Sequence, residues 1–143
     1  MNPYDIRTDP EAMDLDAIHA VLSASYWSPG IPKATVARAI ANSLCFGAFH
    51  DGRQVGFARV VTDRATFAYL CDVYVLEAHR GRGLGHRLVQ AVRVHPELQG
   101  LRRVMLATRD AHGLYAGHGF GPLAAPDRFM EIHDPDAYRA AAG

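Results

Sequence analysis

A chain of 143 residues, 49% hydrophobic and 21% charged, is long enough for one domain with a real core and ordinary in composition for a globular protein. Its 15 Lys plus Arg balance 15 Asp plus Glu, which disfavours a nucleic-acid binder. No apolar run approaches membrane-spanning length, so no membrane partner is expected. The opening stretch MNPYDIRTDPEAMD has acidic residues and no apolar h-region, so no secretory leader is expected either. Cys45 and Cys71 lie in apolar, strand-like runs and are expected to be free thiols of a reducing cytoplasm.

Tyr4 to Arg7 reads as a short strand ended by Asp9-Pro10. Asp14 can cap a helix to about Ser25, with Leu15, Ile18, Val21 and Leu22 on one face. Ser25 to Gly30 breaks it and places Tyr26 beside Trp27, the single Trp, in a loop. A second helix runs from about Lys33 to Ser43. Leu44 to His50, Gln54 to Thr62 and Ala65 to Leu76 are strands, joined by the turn signals Asp51-Gly52 and Asp63-Arg64. A glycine-rich stretch, His79 to Gly85, leads into a helix closed by His95-Pro96. Arg103 to Thr108 is a fifth strand, and a short helix spans about Ala111 to Gly117. Phe120 to Leu123 and Arg128 to Ile132 are expected to form a final strand pair, and Pro135 to Ala142 a terminal helical turn. Hairpins early and a βα crossover late predict an α+β domain, residues 1–143, with a mostly antiparallel sheet flanked by helices.

The stretch from Leu70 to Gln90 carries the clearest chemistry. An apolar strand, a turn with three glycines and two arginines, and a helix start follow in order. The first N–H groups of a helix lack intrahelical partners and sit at the positive end of its dipole. An anion is stabilised there. Gly83 and Gly85 allow a sharp backbone bend close to a ligand, and Arg80 and Arg82 add forked donors suited to phosphate. The run is not a P-loop, since no GxxxxGK followed by Ser or Thr exists. A dinucleotide fingerprint would need glycine where His86 or Leu88 stands. An ordinary βα turn with solvated arginines is the plainer alternative.

Arg80-Gly81-Arg82-Gly83-Leu84-Gly85 resembles the R/Q-x-x-G-x-G/A signature of the GCN5-related N-acetyltransferases. Leu114-Tyr115-Ala116-Gly117-His118-Gly119-Phe120 is similar to the LYxxxGF segment of the same family, and the element order matches its layout. The resemblance implies acetyl-CoA as co-substrate, in a gap between the strand before the glycine turn and the strand after its helix. By position, backbone groups of Val73 and Val75 would hold the pantetheine arm. The stretch Arg80, Gly81, Arg82, Gly83, Leu84, Gly85 and His86 would take the pyrophosphate, chiefly on the N–H groups of 82–86. Thr108 stands where related sequences often have Asn bonding the same arm.

For catalysis the resemblance implies Tyr115 as general acid toward the leaving thiolate. A Tyr that only packs its ring is the alternative. The strand Tyr69 to Val75 is similar to that of polyamine acetyltransferases, but Cys71 replaces the Glu of their Glu-Asp pair and only Asp72 remains. Asp72 is therefore the candidate to hold or deprotonate an acceptor amine, against the alternative of a carboxylate tied to backbone or Arg. Tyr26 and Trp27 fall where the family lines its acceptor cleft. His112 could assist proton movement, though a helix-start His of no special role is the plainer reading. The eight histidines show no metal-ligand spacing, so no metal is expected. The expected activity is acetyl transfer to a small-molecule amine by direct attack. A non-catalytic acyl-CoA sensor and a nucleotide-binding regulator are the alternatives. Dimers are common in the resembling family, so a homodimer is one arrangement to test.

Overall fold

The computed structural model describes residues 3–142, with side chains to residue 139. Its centre is one five-stranded sheet in the order β1 (Tyr4–Arg7), β2 (Leu44–His50), β3 (Arg53–Thr62), β4 (Phe67–Val75) and β5 (Arg103–Leu106). The first four strands are antiparallel neighbours and β5 runs parallel to β4. The helices are α1 (Leu15–Leu22), α2 (Lys33–Ala41), α3 (Leu84–Val94), α4 (His112–Ala116) and α5 (Ala137–Ala142). No helix among the described residues is long and apolar enough to cross a membrane.

Each face of the sheet has its own core. On one face, Leu84, Leu88, Val89 and Val92 of α3 pack on Phe46, Ala48, Ala58, Val60, Ala68 and Leu70. These α3 positions recur at helical spacing, so one stripe is buried and Arg87 and Arg93 fall outside it. Each fully buried aliphatic side chain contributes about 1.5–3 kcal/mol. On the other face, Ile18 and Leu22 of α1 and Val36 of α2 cover Cys45, Phe57 and Tyr74. Asp14 caps α1 by accepting from Ala17 N at 3.1 Å, and its own N–H donates to Gln54 Oε1 at 2.8 Å. The start of α1 is thereby tied to β3.

The turn between β3 and β4 is organised by one carboxylate. Asp63 accepts from the backbone N–H groups of Ala65, Thr66 and Phe67 and from the Thr66 hydroxyl. Those bonds hold its carboxyl well below the usual range. A depressed folded-state pKa stabilises above the unfolded value, about 4, and that contribution is lost as pH falls through the folded value. Asp63→Ala is therefore expected to melt below wild type at pH 7. The gap between the two melting temperatures should close as pH falls below 4, and a gap independent of pH would refute the assignment.

Several boundaries differ from the expectation. The first helix stops at Leu22, because Ser25 Oγ and Ser28 Oγ both take the Leu22 carbonyl and turn the chain. The expected final strand pair, Phe120–Leu123 with Arg128–Ile132, does not form. The segment 120–133 is irregular, with a 3-10 turn at Pro126–Arg128; Pro122 and Pro126 remove backbone donors, and no ladder bond joins it to the sheet. The terminal helix begins at Ala137.

Candidate active site

A bulge in β4 creates the site. Cys71 pairs with Arg59 and Tyr74 with Phe57, so Asp72 and Val73 both face Ala58. Two residues opposite one is a β-bulge, and Asp72 adopts the left-handed conformation at φ 55°. The ladder between β4 and β5 runs only to Leu70 and Leu106. Beyond that point the two strands part. The opening is a cavity of about 350 Å³, lined by Tyr69–Val73, Ala107–Ala111, Tyr26, Trp27 and Tyr115.

Asp72 is held from two sides. Trp27 Nε1 donates to Oδ1 at 2.9 Å and Arg59 Nε donates to Oδ2 at 2.8 Å. Arg59 also donates to Ser43 Oγ at 3.1 Å. A carboxylate accepts about four hydrogen bonds, so capacity for a ligand remains. The loop carrying the aromatic pair is itself pinned, with Gly30 N donating to Ser23 O and Ser28 buried under it. Tyr26 and Trp27 meet edge to face at 5.1 Å, and the Arg109 guanidinium lies 3.7 Å above the Tyr26 ring. Both aromatics are half exposed at the mouth.

Tyr115 is buried on α4, its ring edge against Phe120. No hydrogen-bond partner for its hydroxyl occurs among the described residues, which leaves the phenol available to a ligand. Burial, then the nearby Tyr26 and Asp110, raises its pKa. The phenol stays protonated at neutral pH, the form a proton donor needs. Thr108 Oγ1 accepts from Ala111 N at 3.0 Å, which positions α4 and leaves the hydroxyl proton free to donate. Burial pushes the Cys71 thiol up to about 12 and the Cys45 thiol up to about 11. Neither supplies a thiolate nucleophile at neutral pH.

The glycine turn lies at the start of α3, where Gly85 approaches Leu114 of α4, the helix that carries Tyr115. Gly81 and Gly83 have φ 78° and 76°, and a Cβ on either would meet nothing within 4 Å. Conformation, not space, requires glycine there. Gly85 is helical, and its added Cβ would touch only Leu114 at 3.8 Å. Gly83 caps α3 without a side-chain bond, and the first intrahelical bond is Arg87 N to Gly83 O. The N–H groups of Leu84, Gly85 and His86 therefore present an anion cradle.

The two arginines of the turn have protein partners. Arg80 Nε donates to Val75 O at 2.9 Å, and Arg82 Nη1 donates to Tyr4 Oη at 3.2 Å. These bonds brace the turn and leave the other guanidinium N–H groups of both side chains to other partners. His86 Nδ1 and His118 Nε2 share a hydrogen bond at 3.1 Å that joins α3 to the end of α4.

Tyr26, Trp27, Asp72, Val73, Thr108 and Tyr115, far apart in the chain, line one cavity. Val75, at the end of β4, and the 80–86 turn, at the start of α3, are not part of its lining. His112 is exposed on α4 and is not part of this lining; with Thr108 and Tyr115 it borders the neighbouring hollow beside β5. Arg59, Tyr69, Cys71 as a lining residue, and Arg109 were not singled out by sequence reasoning. The antiparallel register would have found Arg59 opposite Cys71, but the bulge that aims Asp72 has no sequence mark.

Comparison with known proteins agrees with this geometry. Residues 15–120 match the model of the Acetyltransferase (GNAT) family. A candidate acetyltransferase of Gibberella zeae is 36% identical over 135 residues, covering 78% of this chain and 75% of that protein. The chain belongs to the GNAT acetyltransferase family. The crystal structure of a candidate GNAT acetyltransferase from Xanthomonas campestris pv. campestris superposes with a TM-score of 0.94 at 55% identity, over 96% of this chain and 98% of that one. A Clostridium acetobutylicum acetyltransferase, solved with acetyl-CoA, shares the fold at TM-score 0.68 and 14% identity, over 91% of this chain and 96% of that one.

Proposed function

We infer that this protein is an acetyl-CoA-dependent N-acetyltransferase that acetylates a small-molecule amine by direct attack on the thioester. The observation that carries this reading is the contact of the α3 start, uncapped by any side chain, with α4, whose Tyr115 lines the β4–β5 opening. A long ligand with a diphosphate at one end and a thioester at the other fits that arrangement. The N–H groups of 84–86 would take the diphosphate and the edge of β4 at Val73 the arm, with Thr108 as a further donor. Bound there, the co-substrate supplies the acetyl group. The bound form of the Clostridium relative supports the same choice of co-substrate.

In this reading the nitrogen bonds the acetyl carbon, the carbon–sulfur bond breaks, Tyr115 gives its proton to the departing sulfur, and the proton the nitrogen loses returns to the phenolate through water. Asp72 orients the amine and Trp27 holds Asp72. The raised thiol pKa values favour direct transfer over a covalent acetyl-enzyme. A cavity of about 350 Å³ suits a small acceptor. The aromatic pair at its mouth suits an apolar or cationic one.

One observation favours a second reading. Both Asp72 oxygens are already engaged and Cys71 offers no base, which fits an acyl-CoA sensor without turnover. Thermal melting separates the cases. Acetyl-CoA at a hundred times its Kd should raise stability by about 2.7 kcal/mol, a shift of about 5–10 °C, while ATP and NAD leave Tm unchanged. A shift only with ATP or NAD would sink the acetyltransferase reading. A shift with acetyl-CoA, but no acetyl transfer across an amine panel, would select the sensor.

A further inference from the structure

Three cationic side chains crowd the turn that opens α3. Arg80, Arg82 and Arg87 lie close in sequence, and none has an acidic partner among the described residues. Positive charge left in this state attracts an anion. The backbone between these arginines is held by little else. The N–H groups of Gly81, Arg82 and Gly83 donate to no described residue, and residues 80–83 are exposed. Glycine at positive φ forms such a turn easily and, by the same freedom, lets it distort. A cradle that binds through backbone N–H groups gains affinity when those groups are fixed in advance, because ordering them on binding costs free energy.

Tyr4 supplies that fixing from the first strand. It opens β1, is buried, and touches the turn at three points. Within the turn, Arg82 Nη1 donates to its hydroxyl at 3.2 Å. At the entry, the same oxygen lies 2.9 Å from His79 Nδ1. At the exit, in the first turn of α3, Arg87 Nη1 donates to the Tyr4 carbonyl at 3.1 Å. The ring meets His79 edge to face at 5.6 Å and lies 5.2 Å from the ring of His50, its register partner on β2. The brace therefore ends on the sheet, the most rigid part of the molecule, and not on another loop.

We propose that Tyr4 is a positioning residue for the co-substrate's diphosphate: its hydroxyl fixes Arg82, and through Arg82 the backbone of 81–83, so that the N–H groups at the start of α3 are aligned before the ligand arrives. The inference rests on the acetyl-CoA reading above. It gives Tyr4 no contact with the ligand. It also gives β1 a part in binding, although β1 is the edge strand farthest in the sheet order from the β4–β5 opening.

Calorimetric titration of the full chain with acetyl-CoA tests this. Tyr4→Phe keeps the ring and all three arginine charges, so it removes the brace alone. Its Kd for acetyl-CoA is expected to be about tenfold weaker than wild type, the usual loss with one hydrogen bond to a charged group. Tm of the ligand-free protein should change little, because Arg82 is exposed and water can replace the hydroxyl. In acetyl transfer, KM for acetyl-CoA should rise by the same factor while kcat holds. Arg82→Met should weaken binding at least as much, and Tyr4→Phe should add nothing to it, since one residue acts through the other. A wild type that does not bind acetyl-CoA overturns the acetyltransferase reading and this inference with it. Wild-type binding with an unmoved Kd in Tyr4→Phe, or losses that add in the double variant, overturns this inference alone. Should Tyr4→Phe fold poorly, Arg82→Met on an intact β1 decides, and an unmoved Kd there overturns the inference.

Discussion

Tyr115→Phe is expected to lower kcat for acetyl transfer by about 10²–10⁴, the usual contribution of a positioned general acid. The ring would keep its edge contact with Phe120 and its burial on α4. The hydroxyl has no bonding partner to orphan among the described residues, so Tm should move little. KM for acetyl-CoA should also change little, because the arm and diphosphate are assigned to backbone groups elsewhere. Burial raises the phenol pKa above its ordinary value of about 10, so the alkaline limb of the wild-type kcat profile should lie above pH 10. Steady-state kinetics and a melting curve on the same preparation check all of this. An unchanged kcat would remove the phenol from the proton path.

Asp72→Ala is expected to cost about 3 kcal/mol, a fall in Tm on the order of 10 °C. The carboxylate and Arg59 are both largely shielded from water, with side chains 10% and 20% exposed. Removing one partner leaves the Arg59 charge uncompensated and the Trp27 N–H without its acceptor. Asp72→Ala combined with Arg59→Met should recover part of the loss, because the stranded charge is gone. Asp72→Asn keeps the size and separates charge from shape. If its kcat/KM matches wild type while Tm falls, Asp72 is a clamp for Trp27 and Arg59 and has no part in handling the amine.

The order and type of most elements could be read from local signals. Apolar runs rich in β-branched and aromatic residues marked β2, β3 and β4, and Asp51-Gly52 marked the β2–β3 hairpin. Leu84, Leu88, Val89 and Val92 marked the buried stripe of α3. The glycine turn was legible because positive φ at Gly81 and Gly83 demands that residue. The last strand pair was misread, since Arg128–Ile132 has strand chemistry and strand pairing is a property of a neighbour. The partners of the turn's arginines were not legible for a similar reason. Arg80 and Arg82 suit phosphate, yet Val75 O and Tyr4 Oη lie within reach and take them.

The sequence by itself determined the α+β layout, the glycine turn at the start of α3 and the family, because helix periodicity, turn chemistry and short motifs are local. Only the tertiary structure decided the site. The bulge at Asp72, set by register with β3, parts β4 from β5 and opens the cavity. Packing then brings Trp27 and Arg59 onto one carboxylate and Arg109 over Tyr26, contacts between residues 13 to 83 positions apart. Charge pairing and burial at such separations depend on how the sheet twists and where its ladder breaks, and no stretch of sequence encodes that alone.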